Sequence, residues 1–103
     1  MKSESSIEFF TIIAGRKIKE DLLGAVIEAG GRIINTIYGR GSVKASLLMD
    51  VLGLVPEEDK VILTFLISHE KSEALFQTLV EEFNFNKPNT GIAFTIPVEG
   101  LSY

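Results

Sequence analysis

Cysteine is absent from this chain of 103 residues, and histidine occurs once, as His69. Without cysteine the chain has no disulfide, no thiolate ligands for zinc and no cysteine nucleophile. A histidine next to Glu70 suggests acid–base chemistry, but polar residues at a predicted helix start more often cap the helix or face solvent. We therefore assign no catalytic residue to this chain and predict no metal site.

Positive charge is scarce as well: 10 Lys and Arg residues stand against 14 Asp and Glu residues, giving a formal net charge of -4. This balance argues against nucleic acid as the partner, because duplex binding depends on neutralising phosphates with many cations. No apolar run approaches the roughly 18 residues that a membrane-spanning helix requires. The first six residues are polar and acidic, so we predict a cytoplasmic protein without membrane insertion.

The hydrophobic pattern predicts six elements. β-Branched and aromatic residues indicate four strands, and apolar residues at helical spacing indicate two helices. The predicted strands are residues 7–14, 32–38, 61–68 and 92–97, and the predicted helices are residues 18–29 and 69–83. Gly30 and Gly31 end the first helix, and Ser68 is positioned to cap the second.

Two segments between these elements carry less regular patterns. Residues 42–59 contain a candidate short helix at 45–52, followed by an exposed acidic turn. Residues 84–91 form a polar loop that includes Lys87 and Pro88. We expect all 103 residues to form one domain in which these segments are the longer loops.

A βαββαβ order is typical of the ferredoxin-like α+β fold, in which both helices lie on one face of an antiparallel sheet. The first and third predicted strands are apolar on both faces, whereas two helices cover only one face. The other face would expose more apolar surface than monomers normally do. We therefore predict a closed homo-oligomer with its sheets packed inward. The alternative is that residues 47–55 fold back over the sheet.

Two glycine-containing segments form the candidate binding site. The first segment, residues 39–44, follows the second predicted strand. Its glycines beside an arginine let backbone N–H groups and a guanidinium approach phosphate. The second segment, residues 87–91, precedes the last strand and is also basic. If assembly brings one subunit's first segment against its neighbour's second, they form a pocket for an anionic nucleotide; otherwise both are plain turns. The candidate nucleotide-binding residues are Gly39, Arg40, Gly41, Ser42, Lys44, Lys87, Pro88, Thr90 and Gly91.

This pattern resembles the P-II signal-transduction family of nitrogen regulatory proteins, in its small divergent P-II-like branch. The residues that carry the resemblance are Ile12-Ile13, Gly30-Gly31, Gly39-Arg40-Gly41 and the closing run Gly-Ile-Ala-Phe-Thr-Ile-Pro-Val at 91–98. The resemblance covers residues 7–98 and thus nearly the whole chain.

The resemblance implies a homotrimer that binds an adenine nucleotide (ADP, ATP or AMP) in the clefts between subunits. It implies a non-catalytic regulatory protein whose loop after the second strand docks on a membrane transporter or an enzyme. By the same resemblance, the residues that contact phosphate are Gly39, Arg40, Gly41, Lys87 and Gly91.

The chain also departs from the family pattern. Residues 42–59 are a short version of the family's loop, without a tyrosine for uridylylation and without the glutamine that helps bind magnesium, ATP and 2-oxoglutarate. No basic pair precedes Tyr103. These departures favour ADP or AMP over ATP and argue against 2-oxoglutarate sensing. Two alternatives stay open: a trimeric ferredoxin-like module responsive to another small ligand, such as bicarbonate or a metal, and a small enzyme.

Overall fold

The computed structural model describes residues 6–40, 59–88 and 90–100. Its elements follow the predicted βαββαβ order. The strands are β1 (Ile7–Gly15), β2 (Arg32–Arg40), β3 (Asp59–Ser68) and β4 (Gly91–Val98), and the helices are α1 (Lys19–Ala29) and α2 (His69–Phe83). A short 3-10 turn, Arg16–Ile18, joins β1 to α1. Within the described ranges, neither helix combines the length and the apolar character that a membrane crossing demands.

The end of α1 and the start of α2 are set by the residues that the sequence predicts, Gly30 and Ser68. Gly30 adopts the left-handed conformation at φ 100°, and its N–H donates to the carbonyls of Ile27 and Val26. Glycine reaches this conformation at no steric cost. At the start of α2, the Ser68 hydroxyl accepts a hydrogen bond from the Lys71 N–H at 3.4 Å, which satisfies one of the free donors of the first turn.

The four strands form one antiparallel sheet in the order β2-β3-β1-β4. β1 and β3 lie at the centre and pair along their lengths, from Ile7 with Ser68 to Gly15 with Lys60. β4 is the edge strand beside β1, and β2 is the edge strand beside β3. This is the ferredoxin-like arrangement, so the predicted α+β fold class is confirmed.

Both helices pack on the same face of the sheet, which we call the helix face. Side chains of β1 and β3 alternate between the two faces, as the two-residue period of a strand requires. The core on the helix face consists of Phe10, Ile12, Ala14, Leu22, Val26, Val61, Leu63, Phe65, Ile67, Leu75 and Leu79. The buried Phe10 ring lies 5.0 Å from the Phe65 ring and 4.7 Å from the Phe76 ring, measured between centroids.

The opposite face of the sheet, which we call the open face, is also apolar. Its paired residues on β1 and β3 are Phe9 with Leu66, Thr11 with Thr64 and Ile13 with Ile62. On the edge strands, Ile37, Phe94 and Ile96 stay between 42% and 52% exposed. The prediction of a sheet that is apolar on both faces is confirmed. The second copy that would cover the open face stays a prediction.

The central part of the chain differs from the sequence-based boundaries. β2 continues through Gly39 and Arg40, two residues further than predicted, because they pair with Lys60 and Asp59 of β3. Asp59, predicted to lie in an acidic turn, is therefore the first residue of β3. Glycine, arginine and aspartate give no local strand signal, so only pairing with the neighbouring strand reveals this extension.

The last strand also starts earlier than predicted. Gly91, assigned to the polar loop, begins β4 by pairing with Ala14. The candidate helix at 45–52 lies outside the described residues, and so does the segment 47–55 of the alternative in which the chain covers its own sheet.

Candidate functional site

The two glycine-containing segments lie at the same end of the sheet. β2 finishes there after Gly39, and β4 begins there at Gly91. Gly39 pairs with Lys60 on β3, Lys60 pairs with Gly15 on β1, and Gly91 pairs with the residue before Gly15. The end of β2 and the start of β4 therefore lie at nearly the same position along the strand direction, at one end of the sheet.

Within one chain, however, the two segments lie on opposite edges of the sheet. β3 and β1 separate β2 from β4, and adjacent strands are about 4.8 Å apart, so the two edges are about 14 Å apart. Gly39 and Gly91 therefore do not line a common pocket in one chain. Two copies placed edge to edge would bring the first segment of one against the second segment of the other.

The second segment is a short turn that presents a cation. Asn84 ends α2 with φ 60°, and its carbonyl accepts a hydrogen bond from the Lys87 N–H at 2.9 Å. The Thr90 hydroxyl donates to the Pro88 carbonyl at 3.4 Å. The Lys87 side chain is exposed, and it has no acidic partner in the described part of the chain. Its ammonium group is therefore accessible to an anion.

The absence of a side chain has a different consequence at Gly91 than at Gly39. A Cβ on Gly91 would lie 2.4 Å from the Phe85 ring, and that ring packs against the core. Gly91 thus makes room for Phe85. A Cβ on Gly39 would meet no described atom within 4 Å. Packing explains the glycine at 91, whereas among the described residues Gly39 leaves open space beside the backbone, as the close approach of a ligand requires.

A basic group around Tyr38 is missed by the sequence-based prediction. The Arg16 guanidinium carbon lies 4.5 Å from the centre of the Tyr38 ring, and the Lys19 Nζ lies 5.4 Å from it. Hydrogen bonds to Tyr38 and, secondly, to Glu20 raise the pKa of Lys19. Cation–π attraction positions both cations beside β2. The one signal for this group in the sequence is the density of cations, three within residues 16–19.

This basic group lies at the same end of the sheet as the glycine segments. Arg16 lies 3.9 Å from Asp59, and Asp59 pairs with Arg40 at the end of β2. The second cation of the group, Lys19, also has a carboxylate beside it, since its Nζ lies 3.1 Å from Glu20. The group therefore combines two cations with two carboxylates, and a phosphate group that binds there competes with Asp59 and Glu20 for Arg16 and Lys19.

A groove of about 440 Å³ beside Thr90 lies between the start of α1 and the end of α2. Its ionisable side chains are Lys17, Asp21 and Glu82. Two carboxylates against one ammonium repel a phosphate group more than they attract it. Thr90 apart, the candidate phosphate site therefore lies at the strand ends rather than in this groove.

His69 lies at the other end of the sheet. Its Nδ1 is 2.8 Å from the Glu8 carboxylate on β1, and its Nε2 is 3.4 Å from Glu73. The hydrogen bond with Glu8 raises the pKa of His69, and hydrogen bonds with Thr95 and then with His69 lower the pKa of Glu8. The main partner of His69 is thus Glu8 rather than its sequence neighbour Glu70. The contact joins α2 to the sheet, and no hydroxyl group in the described ranges is hydrogen-bonded to the imidazole.

Part of the predicted site lies outside the described residues, namely Gly41, Ser42 and Lys44. Arg40 is described by its backbone position in β2. In the ranges that the structure does describe, no three histidine, aspartate or glutamate side chains come together as metal ligands would.

Comparison with known proteins identifies the fold. No family model matches the chain, and no curated protein matches it in sequence. Among solved structures, a PII-like signalling protein from Thermus thermophilus is 22% identical, with a TM-score of 0.67 over 90% of this chain and 87% of that chain. CPII from Thiomonas intermedia, bound to ADP, AMP and acetate, is 15% identical, with a TM-score of 0.68 over 92% of this chain and 90% of that chain.

A further structure of CPII, described as a nitrogen regulatory PII-like protein, contains ADP, AMP and bicarbonate. It is 15% identical to this chain, with a TM-score of 0.64 over 95% of this chain and 97% of that chain. The protein therefore has the fold of PII-like signalling proteins, and the resemblance noted in its sequence is confirmed at the level of the fold.

Proposed function

We propose that this protein is a cytoplasmic, non-catalytic regulator of the P-II-like type that binds an adenine nucleotide between its subunits. The observation that carries the proposal is the position of the two glycine segments, at one end of the sheet but on opposite edges. Such a position suits a pocket that a second copy completes. The shared fold, and the ADP and AMP bound to CPII, support the choice of ligand.

The proposed assembly is a homotrimer, and the open face supplies the physical reason for it. Phe94 and Ile96 are large apolar side chains that remain partly in water in a single chain. Complete burial of such a side chain contributes about 1.5–3 kcal/mol. A closed ring also uses head-to-tail contacts, so the β2 edge of each copy meets the β4 edge of the next. The proposed pocket needs this contact.

In the proposed pocket, Arg40 and Lys87 bind the phosphate groups through charge-assisted hydrogen bonds. Gly39 leaves the β2 backbone open to the ligand, and Arg16 adds positive charge beside it. The other residues of the proposed site are Gly41, Ser42, Lys44, Pro88, Thr90 and Gly91. This number of cations suits the two phosphates of ADP or the single phosphate of AMP better than the three of ATP.

Regulation of the partner, a membrane transporter or an enzyme, is proposed to act through residues 42–59. The nucleotide has to bind one conformation of this segment more tightly than another, because equal affinity shifts no population. Arg40 and Lys44, recruited to the phosphate groups, would provide that difference in affinity. The nucleotide state then controls which surface the segment offers to the partner.

Titration calorimetry with ADP, AMP, ATP and cyclic AMP tests the site. Arg40→Gln and Lys87→Gln each remove one cation, and each is expected to weaken ADP binding by about 1.5–3 kcal/mol, the range for a hydrogen bond to a charged group. Lys17→Gln is the matched control, because it removes the same charge from the acidic groove. Wild-type affinity in both site variants would show that the site lies elsewhere. No heat with any of the four nucleotides would reject the nucleotide as ligand.

Capture of partners from native membranes and extracts, with and without ADP, tests the regulatory role. Deletion of residues 45–54 is expected to abolish nucleotide-dependent capture and to leave the assembly intact. A variant that dissociates into monomers would show instead that the segment serves assembly.

A further inference from the structure

A second pocket lies at the end of the sheet opposite to the glycine segments. It measures about 270 Å³ and lies where β1 starts, β3 ends and α2 begins. Its main lining residues are Ile7, Arg32, Leu66, Ile67, Ser68 and Lys71. The proposed nucleotide site uses none of these residues.

The floor of this pocket is apolar. Ile67 belongs to the core and is 2% exposed, whereas Ile7 and Leu66 are only partly buried. Ligand pockets are usually lined by apolar side chains with a few polar groups, and they measure roughly 300–1,000 Å³. A pocket just below that range suits a ligand of a few carbon atoms.

Two cations, Arg32 and Lys71, stand at the rim of the pocket. Neither side chain has an acidic partner within the described part of the chain. Glu8, on the neighbouring strand, is bound to His69, and Glu70 is exposed on the first turn of α2. The rim therefore carries positive charge that the protein itself leaves uncompensated in these ranges.

The glycine at the end of α1 allows Lys71 to reach this position. A Cβ on Gly30 would lie 3.0 Å from the Lys71 Cδ and 3.2 Å from its Nζ. The lysine side chain thus runs closely over the backbone of Gly30. A larger residue at position 30 would push the ammonium group away from the rim.

Arg32 is positioned by an irregularity in β2. Arg32 pairs with Leu66 and Asn35 pairs with Thr64, so β2 contains one residue more than β3 over this stretch. Ile33, inside this bulge, has φ 54° and is 72% exposed. A β-branched residue in the left-handed region is strained, and such strain is concentrated at functional sites. Bulges redirect side chains beside binding sites, and here the redirected residue is a pocket cation.

We propose that this pocket binds a small monocarboxylate with a short aliphatic tail. Arg32 and Lys71 bind the carboxylate through charge-assisted hydrogen bonds, and the tail lies on Ile7 at the end of the sheet. A neutral apolar ligand would leave both cations without a partner, and a bare inorganic anion would leave the apolar floor in water. The carboxylate with a short tail satisfies both parts of the pocket.

Proton–nitrogen correlation NMR of the wild-type protein, with isocaproate as the probe, tests the ligand class. Isocaproamide has the same shape without the charge, and acetate has the charge without the tail. Isocaproate is expected to bind at least about tenfold more tightly than either, with shifts centred on Ile7, Arg32, Leu66 and Lys71. Equal binding of the acid and its amide, or shifts centred elsewhere, would overturn the proposal.

Variants test the two cations separately. Arg32→Gln and Lys71→Gln are each expected to weaken isocaproate binding by about tenfold, the lower end for loss of a hydrogen bond to a charged group. Lys17→Gln removes the same charge at the other end of the sheet and is expected to bind isocaproate like the wild type. Wild-type affinity in both pocket variants would also overturn the proposal.

Discussion

Both faces of the sheet carry large apolar side chains, but the faces differ in how completely one chain covers them. On the helix face, Phe10, Leu63 and Phe65 are at most 1% exposed because both helices lie over them. On the open face, Phe94 and Ile96 are 42% and 52% exposed. A chain of about 100 residues can enclose only a small core, and this one places both helices on the same side.

The comparison separates folding from assembly. Residues of the helix face determine whether a single chain folds, because their burial is complete without a partner. Residues of the open face would act on the proposed association of folded chains, because their burial requires another surface. Substitutions on the two faces should therefore change different measured quantities.

Phe65→Ala, on the helix face, is expected to have the largest effect. The Phe65 ring stacks on the Phe10 ring, and removing a buried aromatic ring leaves a cavity that costs about 3–5 kcal/mol. Urea unfolding at a fixed protein concentration measures this loss. A loss below about 1 kcal/mol, ordinary for a surface position, would show that the helix face is not a closed core.

Phe94→Asp, on the open face, is expected to dissociate the assembly into folded monomers. The substitution removes the roughly 1.5–3 kcal/mol of an apolar contact and adds a carboxylate that resists burial. Light scattering measures the particle mass, and circular dichroism confirms that the fold is retained. Ile27→Asp is the matched control, because Ile27 is exposed on α1 and its change should leave the mass unaltered. A particle mass of 11.3 kDa for the wild-type protein would contradict the proposed assembly.

The smallest expected effect is the pH dependence of the Glu8–His69 contact, which joins α2 to the sheet. Glu8 raises the pKa of His69 above its usual 6.5, so the contribution of His69 to stability is complete below pH 6.5 and is lost as the pH rises through the raised value. Thr95 and His69 lower the pKa of Glu8 below its usual 4.5, so its contribution is complete above pH 4.5 and is lost in stronger acid. The contact therefore stabilises the fold most between pH 4.5 and pH 6.5.

Urea unfolding of the wild type and of His69→Gln, at about pH 5.5 and about pH 8.5, tests this dependence. The stability difference between the two proteins should be larger at the lower pH. The same difference at both pH values would show that protonation of His69 does not strengthen the contact.

Much of the fold could be predicted from the sequence because its causes are local. The two-residue and helical periods identify strands and helices within short windows. Gly30 and Ser68 mark helix ends through their own backbone and side-chain chemistry. The apolar second face also follows from strand composition alone, and this observation led to the prediction of assembly.

The contacts that depend on distant segments could not be predicted in this way. Gly39 is a strand residue only because Lys60 pairs with it. The basic group around Tyr38 forms because the 3-10 turn and β2 lie side by side, although the two are far apart in sequence. Ile33 is a residue type typical of extended strands, and only the register shift reveals its left-handed conformation.

The bulge in β2 has a consequence for how other strands can pair with this edge of the sheet. An edge strand offers a row of unpaired N–H and C=O groups to which strands of other molecules can add without limit. Around Ile33 this row is interrupted, since one extra residue breaks the regular spacing of the hydrogen-bonding groups. A strand of another molecule is therefore hindered from pairing along this part of the edge.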